Sequence, residues 1–396
     1  MLFNSLEFFL FLPTIFILYW FVCNKNLRLQ NLLILISSYV FYGWWDWRFL
    51  SLIFLSTTVD YYVGLMIHNS QKDKVRKTYL WVSILCNLGL LGFFKYYNFF
   101  IDTWIDLLGL YGYEQKSVWT LNVILPVGIS FYTFQTMSYS FDIYYKKLKP
   151  TTDFISFASF VSFFPQLVAG PIERASNILP QILTKRVFKY EQGVQGLRLI
   201  LWGMFKKVVI ADSLAWRVDY SFENFQTLDG GTLLLGLVYF SIQIYCDFSG
   251  YSDIAIGTAK LFGIEIMSNF KFPYFSRDIG EFWRRWHISL SSWFRDYLYI
   301  PLGGSKSGRW NSIRNIFVIF IVSGFWHGAN WTFIMWGLTH ALLYIPLFLI
   351  GKNRHYITNV VAENNRLPSI KELFQMGITF FSTTIAWVFF RSETIL

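Results

Sequence analysis

The sequence predicts an all-α polytopic membrane protein, a single domain over residues 1–396 with about ten or eleven crossings and some re-entrant pieces. Three features lead there. The 396 residues are 54% hydrophobic and only 15% charged, whereas soluble domains carry about 25% charged residues. Apolar runs of bilayer length, about 20 residues each, recur from end to end. Basic loops alternate with those runs, so the net charge of +10 fits Lys and Arg gathered on the cytoplasmic side rather than a nucleic-acid surface. No repeat period or low-complexity tract interrupts the pattern.

The first run, "MLFNSLEFFLFLPTIFILYWFVCNKNLRLQN", has no basic residue ahead of it and no small-residue cleavage site, so it reads as a retained span and not a cleaved signal. Lys25 and Arg28 follow the run, which places the N-terminus outside the cytoplasm. A second basic loop, 71–77, demands an even number of crossings between. Residues 32–42, short for a full crossing, and 49–67 supply two, turning at the interfacial aromatic "YGWWDW". Residues 79–108 lead outward to "GLYGYEQKSVW", and "LNVILPVGISFYTFQTMSYSFDIYY" returns to the basic "KKLKP". The apolar "FISFASFVSFFPQLVAGPIERASNILPQI" is broken by Pro165, Gly170 and Pro171. Irregular backbone at membrane depth is tolerated only beside protein or a water-filled cavity, so this stretch reads as re-entrant. "GVQGLRLILWGMFKKVVIADSL" and "GTLLLGLVYFSIQIYCDFSGYSDIAIGTAKLFGI" add helices. Residues 269–310 are charged and aromatic by turns, 316–331 continue into 333–350, and a last span covers about 376–390. Cys23, Cys86 and Cys246 lack CxxC spacing, which argues against a disulfide framework or a metal site.

Ionisable groups at bilayer depth are rare and are functional or paired. The candidates are Asp60, Lys95, Asp142, Asp247, Asp253, His287, His327 and His340. Asp60 and Lys95 read as a structural polar pair, Asp247 and Asp253 as caps or breaks around Gly250. His68 and His355 read as solvated edges. His340 follows His327 by thirteen residues, about 20 Å along a continuous helix and on nearly the opposite face. The two share a site only if the helix breaks, for which Gly328 or Gly337 offers an opening; His340 reads as a structural hydrogen-bonder.

His327 sits in "SGFWHGANW", among the small Ser323, Gly324, Gly328, Ala329 and Asn330 and between Trp326 and Trp331. Residue chemistry leaves two readings level: an imidazole satisfying a buried carbonyl, or a general base kept neutral by desolvation. His287 lies in "RDIGEFWRRWHISLSSWFRDYLYIPLGGSKSGRW", where Arg284, Arg285, Arg295, Lys306 and Arg309 alternate with tryptophans. That pattern suits a snorkelling interfacial helix, or a cationic entry for a phosphate-bearing donor of the coenzyme A type. "PLGGSKSG" lacks the GxxxxGK[ST] spacing of a P-loop and reads as a turn. HExxH and GxSxG are absent, which argues against a metalloprotease or a hydrolase elbow.

The stretch "NFKFPYFSRDIGEFWRRWHISLSSWFRDYLYIPLGGSK", with "SGFWHGANWTFIMWG", resembles the membrane-bound O-acyltransferase family, in its bacterial alginate and peptidoglycan O-acetylation branch. "FFKYYNFF", "LPVGISFYTFQTMSYSFDIYY", "FFPQLVAGPIERA" and "IQIYCDFSGYSDIAIG" extend the likeness over nearly the whole chain. The resemblance implies a ring of helices around a central tunnel, with His327 of "FWHG" as the catalytic histidine and His287 of "RRWH" as its companion towards the cytoplasmic mouth. Arg284, Arg285, Trp286, Asn330, Trp326, Arg295 and Asp296 are then the expected donor- or substrate-binding residues, with no metal. It implies acetyl-CoA or another acyl thioester as donor substrate, with no tightly bound cofactor. The lipid bilayer and an extracytoplasmic SGNH-type acyltransferase are the expected partners, and the bacterial cytoplasmic (inner) membrane the location. D-alanyl transfer from a carrier protein to teichoic acid is the alternative within the family. A transporter would explain the intramembrane charges but not "FWHG" with "RRWH", and transporters tend to show internal repeats. Family chains usually run beyond "AWVFFR", whereas this sequence stops at Leu396.

Overall fold

The computed structural model describes residues 1–112, 121, 123–168, 170–306, 308–363 and 365–395, and among these regular structure is helical with no strand. The outward loop expected at 109–119 lies largely outside the described residues. Among the described residues five helical stretches are long and apolar enough to cross a membrane: Leu27–Asn69, Asp73–Leu110, Gly230–Leu261, Trp331–Leu349 and Ile370–Arg391; Leu6–Val22 is a shorter apolar helix. Two compact units form, Met1–Ile200 with Ile254–Ile266, and Leu201–Asp253 with Met267–Leu396.

In the first unit α1 (Leu6–Ile17) is followed by α2 (Leu27–Asp46), α3 (Leu50–Asn69), α4 (Asp73–Leu91), α5 (Tyr97–Leu110) and α6 (Ile129–Tyr144). α2 is a full 20-residue helix, longer than the 32–42 its apolar run suggests. Gln30 and Asn31 near its start are buried but satisfied: Gln30 Nε2 donates to Tyr19 O at 3.3 Å, Asn31 Nδ2 donates to Ser156 Oγ at 3.0 Å, and Arg186 donates to Asn31 Oδ1 at 2.6 Å. Satisfied polar groups do not end a buried helix, which is why apolar periodicity understates it. The Pro/Gly-broken stretch forms three short helices, α7 (Phe154–Ser162), α8 (Phe164–Leu167) and α9 (Ala175–Leu183), before α10 (Tyr190–Met204). Most of α7 and all of α8 are buried in protein, as irregular backbone in an apolar setting requires.

α3, α4 and α6 pack around Asp60. The carboxylate accepts from Ser83 Oγ, from Asn87 Nδ2 at 2.6 Å and from Ser140 Oγ at 2.7 Å. Lys95 donates to Ser130 Oγ at 3.2 Å. Hydroxyl and amide donors thus take the place of the Asp60–Lys95 pairing that the sequence suggests.

The second unit contains α11 (Asp212–Glu223), α13 (Ile279–Arg285), α14 (Ile288–Phe294), α15 (Arg309–His327), α16 (Trp331–Leu349), α17 (Ile370–Arg391) and most of α12 (Gly230–Leu261). α12 runs unbroken through Gly250, so Asp247 and Asp253 neither cap nor break it. They pair instead with Lys207 and Lys206, each at 2.6 Å. The two lysines sit on a wide π turn, Phe205–Ala211. Pairing is what makes such charges tolerable in an apolar setting. The turn expected at "PLGGSKSG" forms over residues 301–306, with Gly303 and Gly304 at positive φ and Asn315 Nδ2 donating to Gly304 O at 3.2 Å.

Candidate functional site

The site is assembled from a broken helix. α15 ends at His327, and Asn330 starts α16 by accepting from Thr332 N at 3.0 Å. Asn is among the best helix-capping residues because its side-chain oxygen satisfies an orphan N–H. The break folds α15 against α16 at unusually close range. A Cβ placed on Gly324 would collide with Phe333 O, and one on Gly337 with Phe320 O. Only glycine permits that approach. His327 therefore stands half-buried at the bend of a tight helical hairpin.

His287 reaches the same place from a second direction. α13 begins with the Asp278 side chain accepting from Glu281 N at 2.7 Å. The chain then turns at His287, whose φ of 43° and ψ of 56° are left-handed, a conformation uncommon for non-glycine residues. The turn is held by Ile288 N donating to Asn269 O at 2.9 Å. The His287 and His327 ring centroids lie 6.2 Å apart. Phe248 packs edge-on to His287 at 4.7 Å, and Trp326 lies 6.0 Å from it. Around His327 stand Trp326 at 5.0 Å, Trp336 at 5.1 Å and Phe390 at 5.3 Å. His287 lies outside the five long apolar helices and is 1% exposed; burial pushes its pKa down to about 3, so the ring is neutral at pH 7.

Both histidines that the sequence singles out are thus brought together. His340 lies across Trp336 from His327, 4.9 Å from that indole. Both of its ring nitrogens are buried without a hydrogen-bond partner among the described residues, so the structural hydrogen bond expected of it is not formed. Its ring lies parallel to Phe282 and Phe320 and meets Trp283 edge-on.

The expected binding residues meet different fates. Arg284 and Arg295, joined by Arg354, line a cavity of about 470 Å³ whose walls include Trp283, Tyr299 and Ser323. Ser323 is one helical turn before His327. Arg284 also donates to Asn353 O at 2.9 Å, and Arg295 pairs with its neighbour Asp296 at 2.7 Å. Arg285 is absorbed by Glu281 at 2.6 Å. Trp286 is 2% exposed and packs on Phe282 and Trp387, as a core residue does. Trp326 flanks both histidines. Asn330 spends its amide on Glu393 O at 3.0 Å and its oxygen on the α16 cap. Sequence reading passes over Asn269, Arg354, Trp336, Trp387 and Phe390. Arg354 had a signal, as a cation in the "GKNRHY" loop; the others are placed only by tertiary packing.

Comparison with known proteins identifies the family. The family model for MBOAT, the membrane-bound O-acyltransferase family, matches residues 49–353. A probable alginate O-acetylase of Pseudomonas putida is 40% identical over 397 residues, covering 100% of this chain and 78% of its own. The peptidoglycan O-acetyltransferase of Helicobacter pylori is 37% identical over 424 residues, with 100% and 78% covered. A teichoic acid D-alanyltransferase of Bacillus subtilis is 30% identical over 236 residues, 56% of this chain and 58% of its own. With its several apolar helices and these likenesses, the chain is a multi-pass membrane protein and an acyltransferase that belongs to the membrane-bound O-acyltransferase family.

Proposed function

We propose that this enzyme moves an acetyl group from a cytoplasmic thioester, acetyl-CoA, through the membrane for O-acetylation of a cell-envelope polysaccharide of the alginate or peptidoglycan type. The observation that carries the reading is the His327–His287 pair, with ring centroids 6.2 Å apart, one helical turn from a cavity lined by three arginines. In this reading an acceptor hydroxyl gives its proton to His327 as its oxygen attacks the thioester carbonyl. The tetrahedral adduct then collapses, the C–S bond breaks, and the leaving thiolate takes the proton back from the imidazolium. A positioned base of this kind is worth about 10²–10⁴-fold in rate. His287 stays neutral and orients a substrate group by accepting a hydrogen bond.

The arginines suit the phosphates of the donor, since charge-assisted hydrogen bonds to phosphate are short and strong. Arg295→Ala with Arg354→Ala is expected to raise the KM for acetyl-CoA about tenfold while kcat changes little, the signature of lost uniform binding. An unchanged KM would remove the cavity from the donor's path. We further place the protein in the bacterial cytoplasmic membrane with its N-terminus outside, because the basic stretches at 25–28, 71–77 and 146–149 then share the cytoplasmic side. About ten or eleven crossings around a tunnel, both units in one domain, and a secreted SGNH-type acyltransferase as receiver complete the proposal. The likeness to a D-alanyltransferase over 56% of the chain supplies the second donor to test. Purified protein offered acetyl-CoA or a D-alanyl carrier protein, with alginate or peptidoglycan fragments as hydroxyl acceptors, should release thiol from acetyl-CoA. Release from the carrier alone would overturn the choice of donor.

A further inference from the structure

The side chain of Asn269 settles which nitrogen of His287 carries a proton. Its Oδ1 accepts from the backbone N–H of Ser289 at 3.2 Å and from Ser289 Oγ at 2.8 Å. A backbone N–H can only donate, so the amide oxygen must face this way, and Nδ2 correspondingly donates to Ser252 Oγ at 3.2 Å. His287 Nδ1 lies 3.2 Å from that same oxygen. An acceptor facing Nδ1 requires Nδ1 to bear the hydrogen, which in a neutral ring leaves Nε2 as a bare lone pair. Nε2 is buried and has no hydrogen-bond partner among the described residues. Leaving a buried acceptor unmet costs free energy, and this one sits in the ring that faces His327.

We propose that Asn269 is a positioning residue for acyl transfer: it locks His287 in the Nδ1–H tautomer, keeping the Nε2 lone pair ready to accept a hydrogen bond from a substrate N–H or O–H other than the one that His327 deprotonates. The proposal rests on the reading of His287 as part of the reacting pair. The grip is double, because the backbone oxygen of Asn269 also accepts from Ile288 N at 2.9 Å and so fixes the left-handed turn that presents the ring. Asn269 precedes His287 by 18 residues and touches the reaction only through that ring.

The test uses the full chain in nanodiscs, with ¹⁵N-histidine spectra and thiol release from acetyl-CoA in the presence of alginate or peptidoglycan fragments as hydroxyl acceptors. His287→Gln identifies the His287 signal by its loss. Wild type and Asn269→Asp, which keeps an acceptor facing Nδ1, should show the Nδ1–H tautomer. Asn269→Leu should release the ring towards Nε2–H and lower kcat/KM about tenfold. In the His287→Gln background the leucine should cost nothing further, since residues acting through one group are not additive. An unchanged tautomer in Asn269→Leu, or a full additional tenfold loss in the double variant, overturns the proposal. Should Asn269→Leu fail to fold, loss of the Nδ1–H tautomer in Asn269→Asp overturns it equally. His287→Gln at the wild-type rate would sink the underlying reading of His287. His287→Gln impaired beside a fully active Asn269→Leu would sink the role of Asn269 alone.

Discussion

His327→Ala is expected to lower acyl transfer about 10³-fold with little change in KM for the donor. The magnitude is that of removing a positioned general base. The kcat-weighted pattern follows because a base acts on the transition state and not on the bound thioester. The fold should survive. His327 is half-buried and is the last residue of α15, so alanine removes ring contacts with Trp336 and Phe390 without disturbing the helix interior. Its tight hairpin partners, Gly324 and Gly337, are untouched. Steady-state kinetics alongside thermal unfolding separate lost chemistry from lost structure. A variant that keeps wild-type kcat would show that His327 is a packing residue after all.

Gly337→Leu should have the largest effect on stability. In membranes, close helix pairs rely on small residues that let backbones approach. At Gly337 even a Cβ would strike the Phe320 carbonyl, and backbone cannot swing away as a flexible side chain can. Overpacking of this kind costs about 3 kcal/mol, and here it would also pry apart the hairpin that sets His327 against Trp336. Gly377→Leu on α17 is the matched control, because nothing lies within 4 Å of its added Cβ. Thermal unfolding in detergent should show Gly337→Leu several degrees below the control. Equal midpoints would mean that the α15–α16 approach is not a constraint on the fold.

An opening for a helix break near His327 is legible in the sequence as Gly328, beside the alternative Gly337, although the run reads as helix through residue 331 where the structure ends it at His327 with Asn330 capping the next helix. So is the presence of a basic cluster beside His287. What the cluster does is not. Arg285 is consumed by Glu281 four residues back, whereas Arg284 and Arg295 line the cavity, and their positions in sequence do not distinguish those fates. Asp60 carries the same lesson. Its three donors come from α4 and α6 and depend on helix packing that one sequence does not spell out. Lys206 and Lys207 are 47 and 40 residues from the aspartates they neutralise, so Asp253 and Asp247 look like helix breakers inside what is one unbroken helix. The aromatic walls Trp387 and Phe390 arrive on α17, about sixty residues after His327. Local signals are read from local chemistry; partners brought by tertiary packing are not.

If a thioester on one side of the membrane becomes an oxygen ester on the other through His327, sealed vesicles should reveal it. Inside-out membrane vesicles from cells producing the chain would be given radiolabelled acetyl-CoA outside. Label should then appear inside the vesicles as an alkali-labile ester on polysaccharide, and none above background when His327→Ala replaces the wild type. Equal labelling by the variant, or label recovered only as free acetate outside, would refute transfer through this histidine.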